Sequence, residues 1–276
     1  MAITAKEVNT LRQMTGAGMM DCKKALVEAD GDYEKAIEIL RKKGQKVSAS
    51  RADRDAKEGA VLVMTNDDKT EGVLIALNCE TDFVGKNADF LGLGEDILKV
   101  AFESNPSSKE DLLTAKLGDL TIGEKITEFI GKIGEKIEVS AYVRMQGEAV
   151  IPYIHAGNKL GVLVALQGTG GNDVEQAGKD VGMQIAAMSP IAVNKDSVDQ
   201  SVIEKELEIG REQARAEGKP DQIIDKIAQG KLQKFFKDST LLEQAFVKDS
   251  SLTVGKYLNT VVNGLTVTQF ERVSIG

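Results

Sequence analysis

One apolar run occurs twice in this chain, as Gly72-Val-Leu-Ile-Ala-Leu77 and as Gly161-Val-Leu-Val-Ala-Leu166. Its surroundings recur with it. Ala60-Val-Leu-Val-Met precedes the first copy and Ala149-Val-Ile-Pro-Tyr the second. A loop and a helix-like segment follow each, Asp96-Ile-Leu-Lys-Val-Ala-Phe102 or Asp180-Val-Gly-Met-Gln-Ile-Ala186. A duplicated unit should end both strands alike, yet the second copy continues as Gln167-Gly-Thr-Gly-Gly-Asn-Asp173. The first runs on as Asn78-Cys-Glu-Thr-Asp-Phe-Val84 and sets an apolar Phe83 beside Asp82 where the chain turns. Function concentrates in loops on rigid scaffolds, so the first copy carries a device that the second lacks. The competing reading is a capped helix start, with Thr81 or Asp82 as N-cap and Phe83 in the local core.

The 276 residues suffice for two or three domains with cores of their own. From Glu58 the apolar period becomes two, with β-branched residues and Gly or Asn-Asp turns. Strands are predicted at 60–65, 71–78, 137–145, 149–154, 161–167 and 265–275. Each antiparallel cluster is followed by helix, which predicts an α+β core of two related subdomains rather than a parallel sheet. Residues 109–133 read as helical with a break near Gly118.

Before this core, Thr4-Ala-Lys-Glu7 is a capping box, and Val8, Leu11 and Met14 stripe a short helix stopped by Gly16-Ala-Gly18. Met20, Ala25 and Leu26 lie on a second helix that ends near Asp30-Gly31. Asp32 caps a third, striped by Ala36, Ile37 and Leu40 and closed by Gly44. Residues 199–236 form a helical hairpin. Ile203, Leu207 and Ala214 stripe one arm, Ile223, Ile224, Ile227, Ala228, Leu232 and Phe235 the other, and Gly218-Lys-Pro220 makes the turn. Each seam satisfies only its partner helix, so the hairpin is expected to project as a coiled coil. The domain map is 1–44 for the three-helix domain, 45–57 for a basic linker, 58–140 for the first core subdomain and 141–276 for the second with its hairpin.

Composition narrows the chemistry. The net charge of −8 disfavours nonspecific nucleic-acid binding by the whole chain, although residues 1–57 carry +3. The basic stretch 41–57 reads either as a solvated linker or as a contact for an acidic or nucleic-acid surface. Aromatic residues make up 4% of the chain and Trp is absent, which argues against a base-stacking platform. Cys22 and Cys79 show neither disulfide nor metal spacing and read as reduced thiols. There is no apolar signal region and no membrane-length apolar run, so no membrane association and a cytoplasmic location are expected.

Nucleotide loops fail on inspection. In Gly118-Asp-Leu-Thr-Ile-Gly-Glu-Lys125, Glu124 stands where phosphates need Lys, and Gly168-Thr-Gly-Gly-Asn-Asp173 lacks the third Gly of a dinucleotide fingerprint. The single histidine, His155, has no carboxylate near it in sequence and reads as a solvated or partner-contacting side chain. No catalytic, cofactor or metal site is expected, and the chain is not expected to be an enzyme. Met19 and Met20 are adjacent on a helix and diverge by about 100°, so both cannot face one small core. An exposed Met offers an adaptable contact surface.

Thr15–Leu26 together with Asn78–Val84 resembles bacterial elongation factor Ts. The likeness continues through Lys132-Ile-Gly-Glu-Lys-Ile137, His155–Ala165, Gly218-Lys-Pro220, Phe246-Val247 and Thr253-Val-Gly255. The resemblance implies a ubiquitin-associated-like three-helix domain, a linker, a duplicated α+β core and a protruding coiled coil. It implies nucleotide exchange on the GTPase elongation factor Tu, with Thr81, Asp82, Phe83 and Val84 displacing the partner's Mg²⁺. Leu11, Met19, Met20, Ile133 and His155 then match partner-binding positions. Many relatives continue with a C-terminal helical module where this chain stops at Ser274-Ile-Gly276. Two rival classes are an RNA- or ribosome-binding adaptor acting through the basic linker and a hydrolase built on Asp/Glu pairs.

Overall fold

The computed structural model describes residues 3–276, which divide into two compact units. The first comprises residues up to 62, 73–142 and 274–276; the second comprises 63–72 and 143–273. The architecture is α+β.

The first unit opens with α1 (Ala5–Thr15), α2 (Met19–Glu28) and α3 (Tyr33–Arg51). Thr4 makes the predicted capping box with Glu7, and Gly16 ends α1 in the left-handed conformation that glycine adopts without steric cost. Val8, Leu11, Cys22, Ala25, Leu26, Ala29 and Ala36 form a separate small core. Asp32 caps α3 as predicted, but Gly44 does not close it. The helix runs on to Arg51 and takes in residues assigned to the linker. Gly44 is a packing position: a Cβ there would lie 3.2 Å from the Thr127 carbonyl oxygen, and one on Gly131 would lie 2.7 Å from the Gly44 Cα. Two glycines let two helix backbones touch, and the signal resembles a helix stop only because both uses demand a missing side chain.

β1 (Glu58–Thr65) and β2 (Glu71–Cys79) are neighbours in a sheet, followed by α4 (Asp82–Gly85), α5 (Ala88–Ser104) and α6 (Lys109–Thr114). A small hairpin, β3 (Lys116–Leu117) and β4 (Leu120–Thr121), makes the break expected near Gly118. Then come α7 (Ile122–Ile133) and β5 (Ile137–Gln146), which pairs with β2 to give the order β1-β2-β5. α5 lies directly on the sheet, since a Cβ on Gly94 would come within 2.9 Å of Leu62. α7 turns Ile122, Ile126 and Ile130 inward and leaves Thr127, Glu128 and Gly131 toward α3.

The second unit repeats the plan. β6 (Ala149–Ile154) and β7 (Leu160–Gln167) pair antiparallel from Ala149↔Leu166 to Ile154↔Gly161. α8 (Glu175–Met188) packs on them through Gly178 and Gly182, where an added Cβ would lie 2.4 Å from Ile151 and 2.5 Å from Tyr153. α9 (Gln200–Ala216) and α10 (Asp221–Ser239) form the predicted hairpin. Its two helices approach closely at Gly210, where a Cβ would stand 3.0 Å from the Ala228 Cα. Ile224, Ala228 and Leu232 are buried as expected, whereas Ile223 is exposed and Phe236 takes the buried place assigned to Phe235. At its base, Leu232 and Phe236 pack with Ala192 and Val198. β8 (Ala245–Phe246), β9 (Asp249–Thr253) and α11 (Val254–Val261) lead to β10 (Thr266–Ser274), giving the order β10-β7-β6. In both units a hairpin precedes helix, and a later strand returns beside the hairpin's second strand. Among the described residues, no helix is long and apolar enough to cross a membrane.

Candidate functional site

β2 is buried along its length from Gly72 to Cys79, and α4 begins three residues later. Thr81 caps α4, its hydroxyl accepting from the Val84 amide at 3.4 Å. A single turn of helix separates neighbouring side chains by about 100°, so Val84 can go in while Phe83 goes out. Val84 is buried, and Phe83 is 84% exposed, the most exposed large apolar side chain among the described residues. The reading of Phe83 as a local core residue is thereby excluded, although the capped helix start is present. Asp82 is exposed and pairs with Lys86 at 2.7 Å, one helical turn on. That hydrogen bond and the charge behind it raise the Lys86 ammonium above its ordinary value.

The turn is fixed from three directions. The Cys79 thiol donates to the Thr81 carbonyl at 3.1 Å. The Glu135 carboxylate accepts from the Thr81 hydroxyl at 2.7 Å and from its amide at 3.0 Å. In return Glu80 accepts from the Lys136 amide at 2.7 Å and from the Arg54 guanidinium at 3.0 Å, with Arg51 at 3.9 Å. Burial raises the Glu80 carboxyl, but the Lys136 amide and the two guanidinium groups outweigh it and hold it below the usual value. Glu135 follows Gly134, which ends α7 in the left-handed conformation and swings the chain toward Thr81.

Of the other expected contact residues, Met19 and Met20 stand at the first turn of α2 with 54% and 63% exposure. Leu11 is fully buried in the three-helix core, so it supports the surface without being part of it. Ile133 is half-buried at the end of α7. Its neighbour Lys132 lies against Gly16 in the α1–α2 turn and bonds Asp89 at the start of α5 at 2.7 Å. His155 belongs to the second unit, exposed in the β6–β7 turn, with Nδ1 3.0 Å from the Tyr153 hydroxyl.

The second copy of the loop has no counterpart of Phe83. Gly168, Gly170 and Gly171 all take positive φ, and Gly168 sits where a Cβ would be 2.5 Å from the Gly264 carbonyl oxygen. One feature is shared. Glu148 accepts from the Thr169 amide at 2.9 Å and from its hydroxyl, as Glu135 does from Thr81. Among the described residues, no three His, Cys, Asp or Glu side chains are grouped to hold a metal ion.

The sequence profile of the family described as Elongation factor TS matches residues 80–276. The Elongation factor Ts of Amoebophilus asiaticus is 57% identical over 276 residues, covering 100% of both chains. This chain belongs to the elongation factor Ts family. The Elongation factor Ts of Cytophaga hutchinsonii is 56% identical over 274 residues, 99% of each chain. That of Porphyromonas gingivalis is 50% identical over 277 residues, 100% of this chain and 99% of the other. In this member of the elongation factor Ts family, the sequence singled out Phe83 and the paired methionines, which are exposed, together with Leu11, which is buried. It missed Glu80 and Glu135, although Glu135 lies inside the Lys132–Ile137 segment that carries part of the likeness. Nothing local marks a carboxylate whose donor lies 54 residues away in sequence.

Proposed function

We propose that this chain is the guanine nucleotide exchange factor of elongation factor Tu. Family membership makes it a translation elongation factor; the exchange mechanism is the step we add. The observation that carries it is Phe83, held in water on a turn fixed by Thr81, Cys79 and Glu135. An exposed aromatic on a fixed turn is a wedge awaiting a cleft. Burying it gains about 1.5–3 kcal/mol, and only once the partner has opened.

Exchange needs no chemistry from the factor, only tighter binding to the nucleotide-free partner than to the GDP-bound one. By linkage, the factor weakens GDP by the ratio at which GDP weakens the factor. A nanomolar nucleotide site represents about 12 kcal/mol, much of it lost if Mg²⁺ leaves and the phosphate loop is distorted. Thr81–Val84 is assigned to that displacement, with Asp82 engaging polar or charged groups beside the wedge. Residues 1–44, as a ubiquitin-associated-like bundle, supply affinity through Met19 and Met20, and Ile133 at the end of α7 is a further partner contact. His155 contacts the partner from the second core subdomain, and the α9–α10 coiled coil is an auxiliary arm. The chain would act in the cytoplasm without cofactor, membrane or direct nucleic-acid substrate.

The adaptor reading loses ground because the basic stretch is largely satisfied internally. Arg41 pairs with Glu128, Lys42 with Glu38, Lys43 with Asp21, and Arg51 and Arg54 with Glu80. Release of fluorescent GDP from elongation factor Tu, with and without the chain, tests the assignment. Acceleration that saturates with the chain's concentration supports it, and a steep salt-dependent RNA affinity without acceleration would favour the adaptor.

A further inference from the structure

We infer that Glu135 is a positioning residue for nucleotide exchange: its carboxylate locks Thr81 so that Phe83 is presented before the partner arrives. The inference rests on the reading of Thr81–Val84 as the exchange element and assigns a residue that acts through it.

Phe83 is exposed, and a loose loop would let the ring take many orientations besides the displayed one. What prevents this is local. α4 is four residues long, too short to hold its own shape, so its orientation is set by the atoms that grip its N-cap. Glu135 takes both donors of that residue, the amide at 3.0 Å and the hydroxyl at 2.7 Å. A bidentate hold by a charged acceptor fixes direction as well as distance. Glu80 ties the same two segments in the opposite sense through the Lys136 amide at 2.7 Å. The pair of reciprocal carboxylates makes the α7–β5 connection a splint for the β2–α4 connection.

The second unit separates structure from function. There Glu148 grips Thr169 through the same two donors, on a loop of glycines with no aromatic. The carboxylate–threonine clamp is therefore a general way of fixing the loop after this strand, and only the first copy uses it to hold a wedge. Glu148, which also accepts from the Gly168 amide at 2.8 Å, supplies a control that grips a threonine without displaying an aromatic.

Stopped-flow release of fluorescent GDP from elongation factor Tu, titrated with each full-length variant, tests the assignment. Glu135→Ala should lower the maximal rate about tenfold, as expected for losing hydrogen bonds to a charged group, with half-saturation nearly unchanged. Glu135→Gln keeps one acceptor and should fall between. Glu148→Ala should leave the rate at the wild-type value. The double variant Phe83→Ala/Glu135→Ala should be no slower than Phe83→Ala alone, because Glu135 acts through Phe83; a purely structural role would make the losses additive. Additive losses, a shift in half-saturation alone, or a wild-type rate for Glu135→Ala would overturn the inference. If Glu135→Ala fails to fold, Glu135→Gln carries the test, and a wild-type rate there overturns it equally. Should Phe83→Ala itself exchange GDP at the wild-type rate, the exchange element is misplaced and the positioning role falls with it. A slow Phe83→Ala beside a normal Glu135→Ala would remove only the positioning role.

Discussion

Phe83 stands in water on a turn whose neighbours are all tied down, and substitutions there and around it separate display from stability. Phe83→Ala removes an exposed ring, so the melting temperature should stay within a few degrees of wild type while GDP release slows. Asp82→Ala should slow release less, since its carboxylate sits beside the wedge and is paired with Lys86. Gly131→Ala probes a different physics. Its new methyl group would meet the Gly44 Cα at 2.7 Å, backbone that cannot rotate away, so the two helices must separate. Overpacking of this kind costs about 1–3 kcal/mol, and urea unfolding should show it. These residues also mark how far single positions can be read. Thr4, Asp32 and Gly16 announce themselves because caps act within three or four residues of chain. Gly44 misleads because a glycine that ends a helix and one that admits a neighbouring helix look identical in one dimension. Glu135 is invisible for the same reason: its partner is remote in sequence.

At the scale of elements, the six longer strands and the helical hairpin were legible because each carries a period of its own, two or 3.6, whereas the short strands β3, β4, β8 and β9 carry too few residues to show one. The hairpin's seam was less so. Rotating the buried stripe of α10 from Phe235 to Phe236 follows from the cluster with Ala192 and Val198 at its base, which no period within the helix encodes. The outer part of the hairpin packs mainly on itself. Replacing residues 206–229 by a short Gly/Ser turn should therefore leave the remainder folded and the maximal exchange rate intact, while raising the half-saturating concentration. A lower maximal rate at unchanged half-saturation would place part of the exchange step in the arm. A second element-scale prediction concerns acid. Glu175, at the start of α8, bonds Lys179 and then Lys69 from the β1–β2 turn, which together hold its carboxyl at about 2, below the ordinary 4.5. A carboxyl depressed in the folded state stabilises the fold above about 4.5, and that contribution is lost as pH falls toward about 2. Thermal melts of Glu175→Gln should accordingly lose less stability over that window than wild type.

For the whole molecule, the duplicated run Gly72–Leu77 and Gly161–Leu166 foretold two units of one plan, each a hairpin, a helix and a returning strand. The three-helix segment has a core of its own, and the side of α7 that faces α3 is polar or small, with Thr127, Glu128 and Gly131. Deleting residues 1–55 should thus leave a folded remainder, checked by circular dichroism, that binds elongation factor Tu more weakly. The most direct measurement is the rate of GDP release from elongation factor Tu at saturating concentrations of the wild-type chain and of Phe83→Ala. If burying the ring supplies about 1.5–3 kcal/mol only when the partner opens, the variant should be roughly 10- to 100-fold slower while still binding. Equal rates for the two proteins, or no acceleration by the wild-type chain, would contradict it.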